Sequence, residues 1–267
     1  MTDYLSTHWG EAPCASNSNL PRPKAYSYRK RKEPNMSIAE NVARIRREID
    51  LAAIAAGRNP SEIQLCAATK MNDADAVRQA IAAGVSCCGE NRVQELTAKL
   101  QADAYRGAPV HFIGHLQTNK VRQVVGKVDL IQSVDSLRLL EAINDEAAKQ
   151  GIRQAVLLEV NIGQEESKSG FLAEEIPDLV EKCADFPNIC MKGLMAIPPI
   201  SHNSGDNVKF FQKMRQLYVD IREKKYDNVR VDCLSMGMSD DFTDAVKNGS
   251  TMVRVGTAIF GARNYAP

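Results

Sequence analysis

This 267-residue chain has one tryptophan, four histidines and no C-x-x-C pair. It also lacks any apolar run of the roughly 18 residues that a membrane-crossing helix needs. Each scarcity closes off a class of function. His8, His111, His115 and His202 form no H-E-x-x-H. "HFIGH" spaces two histidines as i,i+4, but it reads as a strand and holds no carboxylate between them, so a metalloprotease helix is excluded. No Walker motif and no G-x-S-x-G is present, which excludes a P-loop nucleotide site and a nucleophile elbow. The seven cysteines (14, 66, 87, 88, 183, 190 and 233) are odd in number and mostly lie inside apolar runs. They read as reduced, buried thiols of a reducing compartment, with neither a disulfide framework nor a metal site. The pair at 87 and 88 reads as strand filling. A net charge of +1 gives no general case for nucleic-acid binding.

The composition is otherwise that of a soluble globular protein, 44% hydrophobic and 25% charged. The length fits two small domains or one large α/β barrel. The charge is uneven: residues 1–35 carry +3 and the remainder −2. This leader holds Trp9 and the basic run "YRKRKEPNM", without the apolar core of a secretory signal. It reads as a disordered extension or an upstream start, with Met36 a second start; a basic docking arm is the other reading. The folded domain is expected over 36–267.

The domain opens with "SIAENVARIRREIDLAAIAAG". Ser37 and Glu40 have capping-box spacing, Ile38, Val42, Ile45, Ile49 and Ala52 make one helical face, and Gly57 closes it. A rhythm follows. Strands are predicted at 63–69, 85–89, 110–115, 128–134, 154–162, 189–197, 231–237 and 251–261, with helical segments between them, including "TNKVRQVVG" and "AEEIPDLVEKCADF". Alternating β and α elements imply a parallel sheet, and eight strands in about 230 residues match a closed (β/α)8 barrel. An open doubly wound sheet is the alternative. It would normally carry a Gly-rich fingerprint after the first strand, where this chain has "KMND".

In such a barrel the working face is the C-terminal end of the strands. There "CAATK" leads a buried strand into Lys70, which either snorkels to solvent or has a task. Glu90-Asn91, His115 and Asn161 end later strands, and "GLMAIPP" ends the sixth. The last two loops carry Gly237, Ser239, Gly256 and Thr257, where barrels often bind phosphate. Ser239 also suits an N-cap for "DDFTDAVKNG". Arg254 shares a strand face with Gly256; an inward arginine needs either a structural carboxylate or a ligand atom. A phosphate cup, a strand-end lysine and an inward arginine together suggest pyridoxal phosphate, whose aldehyde forms a Schiff base with a lysine.

Longer motifs carry a resemblance. "CGENRVQE", "HFIGHLQTNK", "SVDS", "VNIGQEESKSGF", "GLMAI" and "LSMGMSDDFTDAVKNGSTMVRVGTAIFGAR" resemble the pyridoxal-phosphate homeostasis protein family, from about Ser37 to Tyr265. The resemblance implies a single (β/α)8 TIM barrel of the alanine-racemase N-terminal type, preceded by one helix. It implies a cytoplasmic protein that holds pyridoxal phosphate on Lys70 and takes part in homeostasis of the cofactor pool. Ser239, Gly256 and Thr257 match the family's phosphate-binding positions, Arg254 the arginine facing the ring nitrogen, and Asn91 and Met195 match pocket contacts. The expectation is a monomer whose partners are the cofactor and acceptor apo-enzymes, not nucleic acid or membrane.

An amino-acid racemase or another pyridoxal-phosphate-dependent enzyme is the alternative. Racemisation uses a base on each face of the cofactor, and racemases of the resembling fold take the second from an added β domain that is not expected here. The chain departs from the family at one motif. Where the family usually has Ser-Lys-Thr-Lys, this chain has Thr69-Lys70-Met71-Asn72. On an extended strand end, positions 70 and 72 would point the same way, so Asn72 removes a second amine from the pocket mouth. Otherwise Asn72 caps the helix starting at Asp73.

Overall fold

The computed structural model describes residues 36–200, 205–224 and 226–261. The basic leader and His202 lie outside them.

Ser37 starts the described fold. Its hydroxyl accepts from the Glu40 N–H at 3.2 Å, and the Glu40 carboxylate accepts from the Ser37 N–H at 2.8 Å. This is the reciprocal capping box the sequence predicts. Helix α1, Ile38–Ala55, buries Val42, Ile45, Ile49, Ala52 and Ala53, the face set out by its period. Parallel strands follow: β1 Gln64–Ala68, β2 Cys87–Glu90, β3 Val110–Phe112, β4 Leu130–Val134, β5 Gln154–Val160, β6 Ile189–Ala196, β7 Val229–Ser235 and β8 Met252–Val255. Each pairs with the next and β8 pairs with β1, so the sheet closes. Closure removes the edges an open sheet would leave unpaired.

The intervening helices are α2 Ala74–Ala82, α3 Val93–Gln101, α4 Leu137–Gln150, α5 Ile176–Lys182, α6 Val208–Arg222 and α7 Phe242–Lys247, with α8 Thr257–Phe260 after β8. Between β3 and β4 the chain makes only a 3-10 stretch, Thr118–Gln123. The segment "AEEIPDLVEKCADF" is α-helical at its centre, with 3-10 turns on both sides. Pro177 sits in the first turn of α5, where its missing N–H removes no helical bond.

Two predicted strands end three or more residues early in the structure. The run 110–115 leaves the sheet after Phe112, and 251–261 leaves it after Val255. The apolar residues of "TAIFG" belong to the one-turn helix α8, which buries Ile259. That helix is too short to cover its strand. Val253 and Val255 on β8 and Leu65 and Ala67 on β1 pack instead against Val42, Ile45 and Ile49 of α1. The first helix of the domain therefore does the covering that the last one cannot. A second packed layer fills the barrel itself: Cys66, Cys87, Leu130, Leu157, Met195, Cys233 and Met252. Sulfur-bearing side chains are polarisable and adapt to irregular space.

Gly193 on β6 marks the closest approach of two strands. Its φ is +143°, and a Cβ there would overlap the Cys233 carbonyl oxygen on β7. The register of β6 shifts on both sides of this point. Gly193→Ala is therefore expected to lower stability by about 3–4 kcal/mol, from strain plus steric overlap. Chemical denaturation checks this; a loss under 1 kcal/mol would mean the two strands separate at little cost.

Candidate functional site

Lys70 follows β1 in a turn, not on an extended strand end. Met71 has φ +62°, and the Asn72 N–H donates to the Thr69 carbonyl at 3.1 Å. This corrects two expectations about Asn72. Positions 70 and 72 do not share a strand face, because the chain has already turned. Asp73, not Asn72, caps α2, its carboxylate accepting from the Ala76 N–H at 2.8 Å. The Asn72 amide instead donates to the Lys70 carbonyl at 3.0 Å, bracing the turn.

Beneath this turn lies a buried charge. One Glu90 carboxylate oxygen accepts from Lys99 Nζ at 2.6 Å, from the Tyr105 hydroxyl at 3.0 Å and from the Thr69 hydroxyl. Lys99 also donates to the Thr69 carbonyl at 2.7 Å. Glu90, Thr69, Lys99 and Tyr105 are all buried. Burial and the charge of Glu90 push the Tyr105 phenol up, so it remains a protonated donor. From α3, Glu95 accepts the Met71 N–H at 2.6 Å. The residue before Lys70 and the residue after it are thus both tied to carboxylates.

On the other side of Lys70, β8 runs beside β1, with Ala67 opposite Val255. A Cβ on Gly256 would lie 3.4 Å from Ala68, so the loop after β8 abuts the lysine's own strand. The Ser239 hydroxyl, from the loop after β7, lies 3.4 Å from both the Gly256 and Ala258 N–H groups. Ser239 is not the cap of α7; Asp241 holds that position, and its carboxylate accepts from Met238 N–H at 2.7 Å. Gly237 belongs to packing: its φ is +92°, and a Cβ would run into Ala245 of α7. Thr257 is exposed at the start of α8. Lys70, Ser239, Gly256 and Thr257 therefore gather at the mouth around β1, β7 and β8.

The remaining predicted residues lie elsewhere around the barrel. Asn91, after β2, lines a mouth cavity of about 290 Å³ with Gly114, Glu159, Asn161 and Ile197. Its Oδ1 is buried and has no hydrogen-bond partner among the described residues. Met195 is fully buried inside the barrel, opposite Glu159 in register. Arg254 is 4% exposed and points inward. Among the described residues its hydrogen-bond partners are not carboxylates; it donates to the Ser235 hydroxyl at 2.6 Å and the Ala196 carbonyl at 2.9 Å. Ser235 meets Gln132 Oε1 at 2.7 Å, and Gln132 Nε2 lies 2.9 Å from His111 Nδ1. Arginine only donates, so the chain has one direction: arginine to serine, serine to glutamine, glutamine to a His111 Nδ1 that carries no proton.

Several of these residues were not singled out from the sequence. Glu159 interrupts the apolar run "QAVLLEVNI" on the face shared by Ala155 and Leu157, and Gln132 does the same in "VDLIQSV". A polar side chain on the inward face of a barrel strand was the available signal. Lys99 and Tyr105 gave none, because a lysine on a helix and a tyrosine in the turn after it are ordinary surface residues. Burial raises the Glu159 carboxyl to about 7; the charge of Asp135 adds to this and Arg254 opposes it.

The chain matches the family described as alanine racemase, N-terminal domain, over residues 37–264. That defines the class: a single barrel of the racemase N-terminal type. Among curated relatives, the pyridoxal phosphate homeostasis protein of Aquifex aeolicus is 41% identical over 230 residues, 86% of this chain and 100% of that protein. The Escherichia coli K12 protein of the same name is 41% identical, with 86% and 98% covered. A crystal structure of a Bifidobacterium adolescentis protein has TM-score 0.80 at 39% identity, covering 84% of this chain and 94% of that one. PipY of Synechococcus elongatus, with pyridoxal phosphate bound, has TM-score 0.72 at 31% identity, covering 84% and 100%. The chain belongs to the pyridoxal phosphate homeostasis protein family. An alanine racemase of Clostridium difficile shares the fold at 16% identity, TM-score 0.58, and this chain covers 57% of its length.

The Glu159 carboxyl gives a pH prediction. Its folded pKa of about 7 lies above the ordinary 4.5. Between those values the folded chain holds a proton that the unfolded chain has lost, so this group's contribution to stability falls as pH rises through the window. Glu159→Gln should therefore gain on wild type by about 1–3 kcal/mol between pH 4 and pH 8. Urea denaturation of the apo-protein at both pH values measures it; a gap independent of pH would place the carboxyl in water.

Proposed function

We propose that this chain binds pyridoxal 5'-phosphate at Lys70 and takes part in holding and regulating the cofactor pool. The observation that carries the reading is the approach of Gly256, within the Ser239–Gly256–Ala258 cluster, to Ala68, two residues before Lys70, in a chain whose family includes a pyridoxal-phosphate-bound structure. The donor set fits a phosphomonoester. Two backbone N–H groups and one hydroxyl converge there, Thr257 adds another hydroxyl, and such donors suit an anion. The Asn91 Oδ1 at the end of β2, buried and without a hydrogen-bond partner among the described residues, fits a ligand donor.

When bound, the cofactor supplies an aldehyde that condenses reversibly with an amine. The rest is the work of the chain's own side chains. Lys70 supplies that amine from a turn fixed by Glu90 and Glu95. Ser239, Gly256 and Thr257 would hold the phosphate. Arg254, whose guanidinium only donates, would hold the ring nitrogen. Asn91 and Met195 border the remaining space.

A holding role, rather than a racemase reaction, is supported by two features. The relatives at about 40% identity are named homeostasis proteins and are matched almost end to end. The racemase is matched over little more than half its length. The proposal extends to a cytoplasmic monomer that gives the cofactor to apo-enzymes; five of the six free cysteines among the described residues are buried, which suits a reducing compartment.

The test is borohydride reduction of protein incubated with pyridoxal phosphate, followed by peptide mapping. Label is expected on the Lys70 peptide alone, Lys70→Ala should lose it, and L-alanine incubated with the loaded protein should stay L. Label retained in Lys70→Ala would overturn the site; rapid appearance of D-alanine would restore the enzyme reading. Ser239→Ala and Thr257→Ala should each weaken cofactor binding by about 1–3 kcal/mol, the usual loss of a charge-assisted hydrogen bond. Titration calorimetry with pyridoxal and its phosphate checks this; equal affinity for the two would remove the phosphate cradle.

A further inference from the structure

Cys66 on β1, Cys87 on β2 and His111 on β3 occupy three adjacent strands and point into the barrel. Cys66 and Cys87 are register partners. The two sulfurs and a histidine ring nitrogen all lie within 4.8 Å of one another. Cys87 Sγ is 3.5 Å from His111 Nδ1. All three residues are buried, at 0%, 2% and 6% exposure. Members of the group are 21 and 24 residues apart, one β/α unit each. A sequence search for close-set ligand pairs passes over such a set.

We propose that Cys66, Cys87 and His111 form a binding site for a thiophilic d10 cation, Zn(II) or Cu(I), reached from the N-terminal mouth of the barrel. Ligand type is the first support: thiolate and imidazole are the donors these ions select. Spacing is the second. Zn–S of about 2.3 Å and Zn–N of about 2.0 Å at a tetrahedral angle separate sulfur from nitrogen by about 3.5 Å, the distance found between Cys87 and His111. In the ion-free chain the His111 Nδ1 lone pair accepts from Gln132 Nε2 at 2.9 Å, so a cation at that nitrogen displaces this hydrogen bond.

Access and charge balance also fit. A cavity of about 390 Å³ opens at the N-terminal ends of the strands, with His111 and Met252 in its wall. Glu62, Asp129 and Asp232 line it beside a single lysine, Lys192, so the entrance favours a cation. Loading displaces the two thiol protons to the buffer, and both sulfurs keep their oxidation state. Two thiolates neutralise Zn(II). With Cu(I) they leave one negative charge, which Arg254, opposite Cys66 in register, balances. A fourth position can be filled by water or by the Met252 thioether from the same interior cluster. Cys66 lies four residues before Lys70 on β1, in the layer of Arg254, and an ion there would tie β1, β2 and β3 together below the mouth.

The experiment uses the full reduced chain, freed of metal, titrated with Zn(II) against a chromophoric chelator and, anaerobically, with Cu(I). Co(II) serves as the spectroscopic probe. One equivalent is expected, with thiolate-to-cobalt charge-transfer bands. Cys66→Ser, Cys87→Ser and His111→Asn should each weaken binding at least 100-fold, and Cys190→Ser should not change it. X-ray absorption of loaded wild type needs no variant, and should show two sulfurs and at least one nitrogen in the first shell. Binding to one ion but not the other identifies which fits. Failure of both ions to bind stoichiometrically, or a first shell without sulfur, would overturn the proposal.

Discussion

The Glu90 carboxylate is the interaction on which the mouth of this barrel depends. A fully buried carboxylate costs several kcal/mol unless it is paired and hydrogen-bonded. Here one oxygen takes a lysine, a phenol and a threonine hydroxyl. The arrangement joins β2 to the end of β1 through Thr69 and to α3 through Lys99. Lys70 is the next residue, so its backbone leaves the barrel from a fixed point. Removing one partner of such a pair leaves an uncompensated charge, which is why buried pairs of this kind specify geometry more than they add stability.

A second buried charge, Arg254, organises the barrel interior. Its donors set the direction of a hydrogen-bond chain through Ser235 and Gln132 to His111, spanning β8, β7, β4 and β3. Burial lowers the arginine's pKa, while Cys66 and Glu159 offset the effect. The two charges divide the work. Glu90 fixes the end of the strand that carries the lysine, and Arg254 fixes the polar floor beneath it. Around both, cysteine and methionine fill the space that large aliphatic side chains would otherwise occupy.

Much of this was legible in the sequence. The alternation of strands and helices gave the closed barrel, because inward and outward faces of a parallel barrel are both apolar and helices must cover the outside. Lys70, Ser239, Gly256 and Thr257 could be placed at one mouth because strand ends of consecutive units share a face. What the sequence hid was non-local or local in the wrong way. The +62° φ of Met71 turns the chain one residue after Lys70, and no strand-period argument contains such a turn. Lys99 and Tyr105 acquire their role only when α3 and the turn after it pack over β2. The last strand was read too long because the apolar residues of α8 look like more strand. Cys66, Cys87 and His111 meet only because three strands come into register.

We propose that Lys70, on the turn held by Glu90, faces the cradle built by Ser239 and the start of α8. A crystal structure of the chain grown with pyridoxal phosphate is the direct test. Continuous electron density is expected from Lys70 Nζ into the cofactor, with the phosphate between Ser239 and the Gly256 and Ala258 N–H groups and Arg254 facing the ring nitrogen. Cofactor density joined to a different lysine, or a phosphate seated away from Ser239, would contradict it.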